Sequence, residues 1–99
     1  MKPLTVRERA SRDGLSDLKG AFSIKQLAFA EQIRLQQWEA MEELIEAETD
    51  PGRRRELDLA RRQLRLQVSI RFWLDRRHAS ALDLLRAHAP IGSALRESG

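Results

Sequence analysis

The chain has no cysteine, only two histidines, three prolines and five glycines among its 99 residues, and no long apolar run. The lack of cysteine excludes disulfides and thiolate metal sites and gives no sign of an oxidising compartment. The N-terminus carries charges rather than an apolar leader, and no segment approaches a membrane span, so a cytoplasmic protein is expected. His78 and His88 sit in no ligand motif. Asp75 lies three residues before His78, a spacing that a surface ion pair explains better than acid–base chemistry does. Ser69 and Ser80 have no base–orienter pair nearby, and no glycine-rich loop follows a strand. Glu39, Glu42, Glu43 and Glu46 have the spacing of a solvated helix face, and no Glu-x-x-His accompanies them. The expectation is a protein that is not an enzyme, with no catalytic, cofactor-binding or metal-binding residue assigned.

Scarce glycine and proline leave a chain rich in Ala, Leu, Glu, Arg and Gln, a mixture that favours helices. An apolar fraction of 41% suits one small folded domain despite 33% charged residues. Residues 1–22 read as a flexible or docking arm. Thr5-Val6-Arg7-Glu8 has capping-box spacing, Gly14 and Gly20 limit any longer element, and Leu4, Val6, Leu15, Leu18 and Phe22 are too apolar for a pure linker. The first long helix is expected over about 24–48, capped by Ser23 with Gln26 three residues on. Ala30, Ile33, Met41 and Leu44 form one apolar stripe on it, and Ile24, Leu27, Ala28, Leu35, Trp38 and Ile45 another. Thr49-Asp50-Pro51-Gly52 then punctuates the chain. Proline suits a first helical position and Asp50 its cap, and so short a connection returns the second helix antiparallel to the first.

The second helix is expected over about 51–77, either continuing or breaking near His78–Ser80 into a third at 79–88, where Ser80 and Asp83 have helix-start spacing. Residues 90–99 are expected to form a frayed tail. Leu64 to Phe72 alternates apolar and polar residues, which is the strand pattern, but its flanks lack turn residues and no partner strand is on offer. Helix is therefore the preferred reading. It would place Leu64, Val68 and Phe72 on one side and Leu66, Ile70 and Trp73 on nearly the opposite side. Folding about 49–52 brings Trp38 to the level of Leu64 and Leu27 to that of Leu74.

Charge is divided sharply along the chain. Residues 23–50 hold seven acidic and two basic side chains, whereas 53–77 hold nine arginines against three acids. The two segments can complement each other across the hairpin, and a charge run is more often a solvated face than a ligand site. The fold class expected is all-α: an antiparallel, coiled-coil-like hairpin with a weakly ordered N-terminal arm, extending to three helices if 79–88 forms one. The function expected is a protein–protein interaction module of adaptor, inhibitor or assembly-chaperone type. Its partner is another protein or a second copy, a dimer foremost, met through Leu66, Ile70, Trp73, Leu74, Trp38 and Met41. The alternative is a nucleic-acid-associated regulator using Arg53, Arg54, Arg55, Arg61, Arg62 and Arg65.

Overall fold

A computed structural model describes residues 5–20 and 23–89. The tail at 90–99, and Leu4 and Phe22 of the arm, lie outside the described residues. The fold is all-α. Its helices are α1 (Val6–Arg12), α2 (Ile24–Ala47), α3 (Pro51–Arg65), α4 (Ile70–Asp75) and α5 (Ala81–Ala87), with no strand among the described residues.

Every one of these helices begins with a side-chain cap. Thr5 Oγ1 accepts from the Glu8 amide at 3.2 Å and donates to Glu8 Oε1 at 3.0 Å, closing the capping box. Ser23 accepts from the Gln26 amide at 3.1 Å, Asp50 from the Arg53 amide at 2.8 Å, and Ser80 from the Asp83 amide at 3.1 Å. Pro51 occupies the start of α3, where its missing N–H costs nothing. Caps of this kind contribute about 1 kcal/mol each.

The expected second helix is interrupted. It ends at Arg65 and restarts at Ile70, so the opposed stripes expected on it do not exist as faces of one helix. The cause lies in the arm. The Lys19 amide donates to the Val68 carbonyl at 2.7 Å, and the Ile70 amide donates to the Lys19 carbonyl at 3.0 Å, an isolated parallel bridge. Ser69 Oγ then accepts from the Phe72 amide at 3.5 Å and caps α4. The alternation of Leu64 to Phe72 thus marks a short extended link whose partner backbone is the arm. Freed of one helical axis, Leu64, Ile70 and Trp73 converge on the same core.

That core lies between α2 on one side and α3, α4 and α5 on the other, with Trp73, Met41, Leu64, Ile70 and Leu85 its largest fully buried side chains. The Trp73 indole N–H donates to the Gln67 carbonyl at 2.8 Å, which lets so large a polar-tipped ring be buried without an orphaned donor. A separate cluster of Ala10, Leu15 and Trp38 holds α1 to the flank of α2. Gly14, at φ +76°, makes this docking possible. Its amide bonds to the Ser11 carbonyl at 3.0 Å and the Leu15 amide to the Ala10 carbonyl at 2.9 Å, a Schellman closure that turns Leu15 back towards Trp38.

Between α2 and α3 the ion pairs run in opposite chain directions, as an antiparallel hairpin requires. Glu48 meets Arg53 at 3.2 Å, and Glu42 meets Arg61 at 3.7 Å. The expected register is compatible with these contacts. Leu27 and Leu74 both pack against the main core, although the helix meant to carry Leu74 is broken.

Candidate interaction surface

The arginines of α3 are largely occupied within the molecule. The Arg61 guanidinium lies 3.9 Å from the centroid of the Trp38 ring, and its Nη2 donates to the Trp38 carbonyl at 3.3 Å. Burial pulls this guanidinium below its ordinary pKa, against Glu42, Asp13 and Asp58, which hold it up. Arg65 donates to the Asp13 carbonyl at 3.3 Å and lies 5.9 Å from the same ring. Arg62 pairs with Asp58 one turn back, at 3.0 Å. A cleft of about 440 Å³ opens beside Trp38, lined by Asp58, Arg61, Arg62 and Arg65. Of the six arginines expected to face nucleic acid, Arg54 and Arg55 are exposed and form no ion pair among the described residues. Arg53 is exposed but tied to Glu48.

Charged contacts also latch the arm. Arg7 pairs with Glu31 at 3.0 Å, Arg9 pairs with Glu39, and the buried Arg34 donates to the Ser16 carbonyl at 2.5 Å. Burial lowers the Arg34 pKa against the opposing pull of Glu31 and Asp17. Glu39 belongs to the acidic segment expected to complement the arginines across the hairpin, and it serves α1 instead.

The histidines occupy separate places. His88 donates from Nδ1 to the Leu84 carbonyl at 3.0 Å and stands edge-on to Phe72 at 5.7 Å, whereas His78 is exposed. Asp75 pairs with Arg71 at 3.7 Å rather than with His78, because the chain leaves the helix after Asp75. No group of three or more metal-ligating side chains converges among the described residues.

The expected interface residues need correction. Trp38, Met41, Ile70 and Trp73 are all buried within this one chain and leave no surface for a partner. Leu74 is half-buried against the core, and only Leu66, at 68%, is freely exposed. For Ile70 and Trp73 the reason is the break at 66–69, which turns them into the core and leaves Leu66 outside, whereas Met41 faces that core from α2. Trp38, for its part, is covered by Arg61 and the arm.

An uncovered apolar surface does exist, on the outward side of α2. Ala40, Leu44 and Ala47 of α2, with Ala81 and Leu82 of α5, line a shallow groove of about 510 Å³ edged by Glu43 and Ser80. Along the same side of the helix, Phe29, Gln32, Gln36, Ala40, Glu43 and Ala47 follow one another at three- and four-residue spacing, which aligns them on one face. Phe29 is 51% exposed, an unusual position for so large an apolar ring. The sequence carries a signal for this residue: Phe29 belongs to neither inward stripe of the helix, and its apolar surface is thus unaccounted for by the hairpin.

Comparison with protein-family models, with curated proteins and with solved structures finds no match for this chain. Among the described residues no helix is long and apolar enough to cross a membrane.

Proposed function

We propose that the protein is a non-enzymatic protein–protein interaction module of adaptor, inhibitor or assembly-chaperone type, working through the outward face of α2 and its groove with α5. One observation carries this reading. Among the described residues both tryptophans are buried and most large apolar side chains are at least half-buried, and of the four that stay exposed, Ile24, Phe29, Leu44 and Leu66, Phe29 and Leu44 lie along the outward side of α2. Exposed apolar groups set among polar residues in this way are what an association surface presents. The test is a comparison of the full chain with Leu44→Glu by light scattering after gel filtration and by capture from lysate, with helicity as the control. A discrete assembly or stoichiometric partner lost in the variant is expected. A wild type that stays monomeric and retains nothing the variant loses would sink the reading.

The second reading, a nucleic-acid-associated regulator, draws support from Arg54 and Arg55, which stand exposed at the start of α3. The engagement of Arg61, Arg62 and Arg65 inside the molecule weighs against it. A gel-shift series at rising salt decides the point, since phosphate contacts by arginine weaken steeply with ionic strength. No shift at low salt removes this alternative.

A further inference from the structure

We propose that the occupant of the groove is a second copy of this chain: α2 pairs antiparallel with α2 of the other copy, and Phe29 of each enters the groove of the other. The proposal rests on the interaction reading above and names its partner.

Position carries the first part of the argument. Phe29 precedes Gln36 by about two helical turns, and Glu43 follows Gln36 by the same distance. A two-fold axis beside Gln36 therefore brings Phe29 of one copy level with Glu43 and Leu44 of the other, and the reverse. Both knobs and both holes are filled in one closed, isologous interface, with none left over to propagate a chain of copies. A single protomer cannot close this contact on itself, because Phe29 and its groove are about 20 Å apart along one straight helix.

Shape and charge point the same way. Ala40 and Ala47 are small, so the facing helix can approach closely there, and Leu44 and Leu82 supply the walls against which an aromatic ring packs. The N-terminal part of this face carries Lys25, and the C-terminal part carries Glu43 and Glu46. None of the three forms an ion pair among the described residues. Antiparallel pairing sets Lys25 beside Glu46 and within reach of Glu43 of the second copy, whereas parallel pairing would set like charges together. Gln32 and Gln36, near the axis, carry amides that both donate and accept, so each can satisfy its counterpart.

The experiment uses the full chain. Light scattering after gel filtration, from micromolar to near-millimolar protein, should show a concentration-dependent dimer. Phe29→Asp should weaken that dimer at least about tenfold, the loss expected for an aromatic anchor seated in a groove, with helicity unchanged because Phe29 lies outside both core clusters. Gln36→Cys introduces the only thiol in the chain. On mild oxidation it should yield a disulfide-linked dimer, while Gln63→Cys on the exposed side of α3 should not. A monomer at every concentration overturns self-pairing, and the interaction reading is then judged separately by the Leu44→Glu comparison. A dimer that survives Phe29→Asp, or that cross-links at Gln63 rather than at Gln36, overturns this interface while leaving an association protein of different geometry.

Discussion

Along α2, Ala30, Ile33, Met41 and Ile45 are buried in the core shared with α3, α4 and α5, whereas Phe29, Gln32, Gln36 and Glu43 face solvent on the same helix. The flank between them is covered in a third way, by charged latches from the arm and by Arg61 lying over Trp38. The difference teaches what each chemistry contributes here. Apolar burial supplies most of the stability of the fold, the guanidinium groups orient the arm and shield an indole, and the outward face is left uncovered. An arginine-rich segment can thus be spent on internal cover, with exposed apolar surface elsewhere on the molecule.

The comparison can be broken from the inside outwards. Trp73→Ala removes the largest fully buried side chain and its bond to the Gln67 carbonyl. A loss of about 3–5 kcal/mol is expected in urea unfolding, a large share of the stability of a domain this small. On the flank, Arg34→Ala deletes the bond to the Ser16 carbonyl and should cost about 1–3 kcal/mol, with faster amide exchange over residues 15–20. Arg34→Met should cost less, since it keeps the packed stem and discards a buried Nε that has no partner among the described residues.

A double-mutant cycle between Arg61→Met and Trp38→Leu should give a coupling of about 0.5–2 kcal/mol for the cation–π contact. Little or no coupling would mean that the arginine merely lies alongside. The smallest effect belongs to the outward face, where Phe29→Ala should alter the unfolding free energy of the monomer by no more than about 0.5 kcal/mol. The lowered pKa values of Arg34 and Arg61 add no pH dependence near neutrality. A base held below its ordinary pKa in the folded state stabilises the fold as it loses its proton, so stability rises as pH climbs through the folded value. Arginine titrates only in strongly alkaline solution, so stability near neutrality should be insensitive to these two groups.

Much of the architecture was legible in the residues, because helix starts are written locally. Thr5, Ser23, Asp50-Pro51 and Ser80 each cap the helix that their spacing announces. The break at 66–69 was legible only as a conflict between a strand pattern and helical flanks. Its resolution needs Lys19, some fifty residues away in sequence, and no local reading supplies that partner. Ile70 and Trp73 were misplaced as interface residues for the same reason. Leu66, Ile70 and Trp73 share a face only on a continuous helix, and with the chain bent two of them turn into the core. Phe29 was the readable clue to the outward face, since it fits no stripe. The groove beside it depends on where α5 docks, which the sequence does not specify.

The most direct test sets the two candidate surfaces against each other in one sedimentation series on the full chain. The wild type is compared with a Phe29→Asp/Leu44→Glu variant of the outward face and an Arg54→Glu/Arg55→Glu variant of α3. The expected result is a dimer in the wild type and the arginine variant, and a folded monomer in the outward-face variant. A dimer that persists without Phe29 and Leu44 but dissociates when Arg54 and Arg55 are reversed would contradict the proposal that α2 carries the working face.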